Sequence, residues 1–426
     1  MGFAEGYLQR HGYGTCRILS PPDPGLNSIV TIPCHNESGL LKSLDSLFKC
    51  DTSGIRAEII IFINASGQDP EAVHRQNRET FMQTGSWVKN HPHDALTVHI
   101  LSDDKLPLKD AGVGLARKIV MDEAVRRFDR LNKTDGVILS LDADTLVEPD
   151  YLVNTLLHFR SDPSIEGCSI YFEHPLEGDE FSDALYNAIA LYELHLRYYL
   201  RAISCTGYPY AFHTVGSCIG VKAEAYCRYG GMSKRKGGED FYFIQKVAQN
   251  GHFSNCTSTR IIPSPRPSER VPFGTGPAIK AILSGPEPGF LTHNPESFEI
   301  IAGFFDMIRE SAAERSLLPS FETLHPGLRE YLSKINFSDA LAEIVSNTAS
   351  APAFMKRFWR FFNMLRILKY LHHMRNFGQA DIPVIDASRQ LLEKRGLMDK
   401  NPAGLPDILS IYRKIDRGII SVCPQQ

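Results

Sequence analysis

Short apolar runs separated by polar turns and helix-period stretches divide most of the first 275 residues. Ser28-Ile-Val-Thr-Ile-Pro33, Glu58-Ile-Ile-Ile-Phe-Ile63, Ala95-Leu-Thr-Val-His-Ile-Leu101 and Gly136-Val-Ile-Leu-Ser-Leu-Asp142 are rich in β-branched residues and too short for helices. Such runs predict strands, the first, second and fourth of them buried on both faces. Between them, Leu40, Leu41, Leu44, Leu47 and Phe48 recur at helical spacing, and helices are predicted from Gly112 through Phe128 and over Tyr151–Phe159. The alternation continues with a strand over Glu166–Phe172, a Tyr-rich helix from Asp179 to about Ile203, a Gly-punctuated strand-like stretch over His213–Val221 and a helix over Phe241–Gln249. Strand, turn and helix in alternation predict an α/β fold with a mostly parallel sheet flanked by helices. Thr259 to Gly276 reads as an irregular Pro/Gly/Ser-rich loop, a flap rather than an element. After about residue 290 strand signals vanish, and helices are predicted over 298–311, 340–345, 354–377 and 402–415. The expected organisation is a lead-in over 1–27, an α/β domain over 28–289 and an all-α region over 290–426.

Composition narrows the class. Hydrophobic residues make up 43% and charged residues 22%, with a net charge of −3, as in ordinary globular proteins and without the basic surplus of a nucleic-acid binder. The cysteines are scattered and form no Cys-x-x-Cys, which supports neither a zinc site nor a disulfide framework and points to a reducing cytoplasm. No apolar run approaches the roughly 20 residues of a membrane span. Residues 354–371 are basic, aromatic and free of acids, and at helical spacing their apolar side chains spread nearly all round. A packed helix is expected there; peripheral docking on a membrane, at its inner face, or on a partner is the other reading.

Asp142-Ala143-Asp144 closes an apolar strand, and acids in that place are the chemical oddity of the chain. Ligands sit at the carboxyl ends of strands in open α/β sheets. Side chains two apart in a strand point the same way, and repulsion between paired carboxylates is relieved by a hard divalent cation. The bland reading makes one of them a helix cap, but Asp150 in Glu148-Pro149-Asp150-Tyr151 already fits that place. Arg117 and Lys118, following Gly112 and Gly114, could meet a phosphate, the Asp142/Asp144 pair, or only solvent. Glu239 and Asp240, after Gly237-Gly238, could complement a helix dipole or supply a base to an acceptor hydroxyl. Arg266 and Arg270 in the flap could clamp phosphate.

In this order the stretches resemble the family 2 glycosyltransferases of the GT-A fold. Ile32-Pro33-Cys34-His35-Asn36-Glu37 is similar to the family's Pro-x-x-Asn-Glu motif, Gly112–Lys118 to its Gly-x-x-x-Ala-Arg-Asn helix, Leu141-Asp142-Ala143-Asp144 to its Asp-x-Asp motif, and Gly230-Gly231 with Gly238-Glu239-Asp240 to its Gly-Gly…Glu-Asp motif. The resemblance covers roughly residues 28 to 275. The chain departs from it at Asn64-Ala65-Ser66, where the family has Asp-Asp-Gly-Ser, and in offering no clear extra histidine ligand after Asp240: His252 reads as a strand-entry residue, and His293 falls at the domain boundary.

The resemblance implies inverting transfer of a sugar from a UDP- or GDP-linked donor to a glycan or lipid-linked acceptor in surface glycan synthesis, with Mg2+ or Mn2+. It places nucleotide contacts at Pro33, His35, Asn36, Glu37, Asn64, Ser66, Arg117, Asp142, Ala143, Arg266 and Arg270, the metal at Asp142 and Asp144, the base at Asp240 and an orienting acid at Glu239. Two rivals stand beside it. A sugar-phosphate nucleotidyltransferase would want a Gly-rich basic loop after the first strand, which Pro33–Glu37 is not. A non-catalytic nucleotide-sugar binder or scaffold would need no base.

Overall fold

The structure, a computed structural model, describes residues 2–267, 274–285, 290–314, 321–398 and 404–421. Its first elements in chain order are α1 (Glu5–His11), β1 (Ser28–Cys34), α2 (Leu40–Phe48), β2 (Ala57–Ser66), α3 (Glu71–Asn90), β3 (Leu96–Leu106), α4 (Val113–Arg130), β4 (Val137–Ser140), β5 (Leu146–Val147), α5 (Tyr151–Ser161) and β6 (Gly167–Phe172). There follow α6 (Asp183–Ser204), β7 (Ile219–Lys222), α7 (Ala223–Arg228), α8 (Glu239–Asn250), β8 (Phe253–Ile262) and α9 (Thr275–Ser284). The rest is helical: α10 (Pro295–Glu314), α11 (Pro326–Lys334), α12 (Phe337–Ser346), α13 (Ala351–Phe361), α14 (Met364–Met374), α15 (Val384–Lys394) and α16 (Leu405–Asp416). A two-stranded antiparallel ribbon of Leu291–Thr292 and Ile382–Pro383 interrupts it. The chain forms two compact units, residues 1–186 with 214–280, and 187–213 with 281–426.

The first unit is built on an eight-stranded mixed, mostly parallel sheet in the order β3-β2-β1-β4-β7-β6-β8-β5. β1 and β2 are buried at every position, as their apolar runs require. The chain runs from β1 outward through β2 and β3, then returns through α4 to place β4 on the other side of β1. That reversal is a topological switch point, where the loops leaving β1 and β4 diverge and open a crevice. β1 continues to Cys34 beside Phe62 and Ile63, whereas its pairing with β4 ends at Thr31 and Ser140. Pro33 therefore lies where one flank of β1 has already lost its partner. Thr31 accepts a bond from Leu141 N–H at 3.0 Å, so Pro33, two residues on, turns its missing N–H to that open flank.

Several expectations are corrected. The strand after the second apolar run extends through Asn64-Ala65-Ser66, which were expected in a turn, because the Asn64 side chain is satisfied by Cys34 O at 2.8 Å. β4 stops at Ser140, so Asp142 and Asp144 lie in a turn and strand alternation does not orient them. Residues 213–215 are not strand, and 216–218 form a short 3-10 turn. Thr259–Ile262 was expected to be irregular but closes β8, and helix resumes at Thr275. Asp150 occupies the cap position of α5 without capping it; its Oδ1 accepts the Thr259 hydroxyl at 2.5 Å. The lead-in contains α1, whose Tyr7 hydroxyl donates to buried Asp122 of α4 at 2.7 Å.

In the second unit Phe304, Phe305, Phe337, Phe358 and Phe362 pack in edge and tilted contacts with ring centroids 5.2–6.3 Å apart. The predicted helix over 354–377 breaks at Phe362, and the Asn363 side chain caps α14 by accepting from Arg366 N–H at 3.1 Å. The break resets the helical phase, which is why apolar positions look dispersed in one uninterrupted projection and yet form a face on each helix. Tyr186, Tyr192 and Tyr198 of α6 are buried rather than offered to a ligand. Cys205 is disulfide-bonded, against the reading of a chain without disulfides; spacing along the sequence carries no information on such a tertiary contact. No helix among the described residues is long and apolar enough to cross a membrane.

A buried ion pair joins sheet and helix in the first unit: Arg127 of α4 donates through Nε to Glu58 of β2 at 2.7 Å, and both side chains are almost fully buried. Replacing Arg127 by Met is expected to leave the Glu58 carboxylate facing half-buried His99 alone and to lower unfolding free energy by about 3–5 kcal/mol, read by urea denaturation followed by circular dichroism.

Candidate functional site

The loops at the switch point carry the acids. His35 meets Asn64 O through Nδ1 at 2.8 Å, Asn36 N–H donates to Asn77 Oδ1 at 2.9 Å, and the Asn77 amide donates to Asn64 O at 2.9 Å. These bonds lace the end of β1 to the end of β2 and to α3. Asn36 is held in the left-handed region at φ 49°, a conformation that asparagine tolerates better than most residues. Ser66 is also occupied locally: its N–H donates to Asp69 Oδ2 at 2.7 Å and its Oγ accepts from Gln68 N–H at 3.0 Å. Pro33 and Ala143 are buried, and Asn36 is exposed.

Two arginines gather the carboxylates. Arg117, buried in the first turns of α4, donates to Asp142 Oδ1 at 2.7 Å and to Glu239. Its other neighbours leave it little room, since a Cβ at Gly216 would collide with the guanidinium. Of the readings open for Arg117, the solvated helix face is excluded, and of the acid pair Asp142 is met. Lys118 is likewise buried, but on the other business of bonding Tyr7 at 3.0 Å and Asp122. Arg266 donates to Glu37 and reaches Asp144 Oδ2 at 3.4 Å. Glu37 is fully buried and accepts Gly39 N–H at 2.7 Å through its other oxygen. Arg270 lies outside the described residues.

Glu239 and Asp240 differ although adjacent. Glu239 points inward and is spent on Arg117, while Asp240 is half-buried and, among the described residues, takes its neighbour's Phe241 N–H at 2.7 Å. Burial first, and then the Glu239 carboxylate, push the Asp240 carboxyl up to about 7; Arg117 opposes the shift and Asp142 adds to it. Burial also works against the charge of Arg117, but Asp142 and Glu239 overcome it and raise its pKa. Asp142, Glu239 and Asp240 thus form one electrostatic group around a single guanidinium. Gly238 precedes them at φ 69°, a left-handed turn into α8 that suits glycine.

Among the described residues, four carboxylates, Glu37, Asp142, Asp144 and Glu239, gather around two arginines, Arg117 and Arg266. A donor set of partly exposed carboxylates at Asp142 (40%) and Asp144 (24%) suits a hard cation that completes its shell with phosphate oxygens and water. It does not suit an all-protein cage, and among the described residues no group of three or more His, Cys, Asp or Glu side chains could hold a metal. Arg117 Nε is buried without a protein partner, one donor left over at the site. The sequence offered the acid pair as one partner of Arg117, and Asp142 of that pair is met; its second partner, Glu239, was not anticipated.

No protein-family model and no curated protein matches the chain. Among solved structures it is similar to S. aureus TarS residues 1–349 in complex with UDP-GlcNAc, at 14% identity and a TM-score of 0.40, covering 92% of this chain and 91% of that one. It is also similar to the mannosyltransferase PcManGT from Pyrobaculum calidifontis in complex with GDP-Man and Mn2+, at 16% identity and a TM-score of 0.35, covering 88% and 92%. Likenesses of this size add nothing to what the side chains of this chain show by themselves.

The electrostatic assignment has a signed test. With Asp selectively 13C-labelled, the Asp240 carboxyl is expected to titrate near 7; Arg117→Met should raise that midpoint by removing the favourable cation, and Asp142→Asn should lower it by removing a like charge.

Proposed function

We propose that the chain is a glycosyltransferase that moves a sugar from a UDP- or GDP-linked donor to an acceptor hydroxyl with inversion, and that Mg2+ or Mn2+ serves it at Asp142 and Asp144. The observation that carries this reading is the convergence, at the sheet's switch point, of the partly exposed carboxylates Asp142 and Asp144 with a separate carboxyl, Asp240, whose pKa is lifted towards neutrality. The order of motifs along the chain supports it as well.

When bound, the cation would neutralise charge on the donor diphosphate and act as a Lewis acid towards the leaving group. The residues of the chain do the rest. Asp240, ionised above about 7, accepts the proton of the acceptor hydroxyl as its oxygen attacks the anomeric carbon; the bond to the diphosphate oxygen breaks, and the nucleoside diphosphate leaves with the electron pair. Glu239 acts at one remove: it holds Arg117 on Asp142 and keeps the pKa of Asp240 high. Arg266, now on Glu37 and Asp144, stands where it can shift to the diphosphate and exclude water. His35, Asn36 and Asn64 frame the floor beneath the nucleotide. Displacement in one step needs no nucleophile from the enzyme. A binder would have no use for a carboxyl poised to take a proton at neutral pH.

Thermal-shift measurements with UDP and GDP, with and without Mn2+, are expected to show stabilisation by one nucleotide that depends on the metal, and Asp142→Asn should abolish the metal-dependent part. Asp240→Asn should keep that stabilisation and lower transfer about 10²–10⁴-fold. The wild-type rate should rise with pH to a plateau above about 7, because only the ionised base accepts a proton; a flat profile from pH 5.5 to 8 removes Asp240 from the role.

A further inference from the structure

Next to the base lies a rim that the account of transfer leaves unused. Lys234-Arg235-Lys236 runs into Gly237, and this loop is fastened to residues 108–114 at several points. Lys234 pairs with Asp110 at 3.3 Å, and Lys236 donates to Leu108 O at 2.8 Å. A Cβ at Gly114 would collide with the Arg235 carbonyl, and one at Gly112 would stand 3.4 Å from Lys236 Cα. Glycine at these positions lets the backbones touch, so the loop is seated on the start of α4 rather than hanging in solvent. With Lys109 between its two anchors, the rim carries four cations, Lys109, Lys234, Arg235 and Lys236, against one acid, Asp110.

Arg235 is the member set apart. Its guanidinium lies 4.1 Å from the centroid of the Tyr242 ring, and that ring is itself 39% exposed. Among the described residues no hydrogen bond or ion pair engages the guanidinium, although Glu239 and Asp240 are close in sequence; Glu239 is taken by Arg117. An arginine held over a tyrosine ring still has N–H groups to offer and gives up little freedom when an oxyanion arrives. Tyr242 shares the first turn of α8 with Asp240, and although side chains two apart on a helix diverge, the chain itself keeps the cation near: five residues lead from Arg235 through Gly237-Gly238 to Asp240. A solvated loop needs no such platform.

We propose that the acceptor is an anionic chain, bearing phosphate or carboxylate, and that Arg235 on Tyr242 receives one of its charges on the loop that leads into Asp240. The proposal rests on the transfer reading for the word acceptor, and on the rim alone for the anion. Titration calorimetry of the full chain against linear hexaphosphate, tetragalacturonate and neutral maltotetraose tests it. One or both charged chains should bind about tenfold more tightly than maltotetraose, and which of them does so separates phosphate from carboxylate recognition. Arg235→Ala should weaken that binding about fivefold and flatten its dependence on salt, with Arg235→Gln as the second variant should the first fold poorly. Both variants should keep the metal-dependent nucleotide shift. Equal binding of charged and neutral chains, binding of neither, unchanged affinity in a folded variant, or loss of the nucleotide shift in its place overturns the proposal. Wild-type protein that prefers the charged chain yet shows no shift with any nucleotide sinks the transfer reading instead, so the two failures are told apart.

Discussion

One buried guanidinium holds the candidate site together. Arg117 comes from α4, Asp142 from the turn after β4, and Glu239 from the start of α8, and only the fold brings the three to one place. Removing an arginine from water is costly, and the structure offsets the cost with carboxylates on two sides. The arrangement fixes the β4 turn relative to α8 and so sets the spacing between the acid that would serve a cation and the acid that would serve as base. It also divides the labour of Glu239 and Asp240: one is neutralised by ion pairing, the other is left in its shadow and binds its proton more tightly.

Much of the sheet was legible in the chain. The apolar runs of β1, β2 and β4 read as doubly covered strands and are so, whereas the reversal of strand order after β3 has no local signal, since the equally long α3 joins two neighbouring strands. Of β8 only the entry, at His252, was legible; its course was not, because it alternates buried and more exposed residues irregularly and is rich in Ser, Thr and Asn, which read as loop. The acids at 142 and 144 were found for a sound chemical reason and an unsound geometric one: the strand ends before them, and tertiary bonds to Arg117 and Arg266 orient them instead. Contacts such as Arg266 with Glu37, which join the beginning and end of the first unit's chain, leave no trace in local pattern.

The second unit shows the same limit in another form. A continuous basic and aromatic stretch looked like one helix without a face, and a single asparagine that accepts a backbone N–H turns it into two helices with buried sides. Its interior also contains charge: Arg197 and Asp416 meet fully buried, with Glu193 and Arg413 completing the cluster at 2.7 Å, so α16 is attached to the residues of α6 in that unit by ions as well as by apolar packing. Such a cluster specifies which surfaces meet more than it adds to stability.

The proline at the end of β1 has a further consequence. A slot between two strands is ordinarily an invitation: any extended segment, from the same molecule or another, can zip along the exposed peptide edge and fill it. With an imino acid turned towards the vacancy, an intruding ribbon finds no donor at the rung where it would have to begin. The mouth of the crevice is thereby kept clear for small guests, and the residue that guards it acts through the hydrogen it does not have.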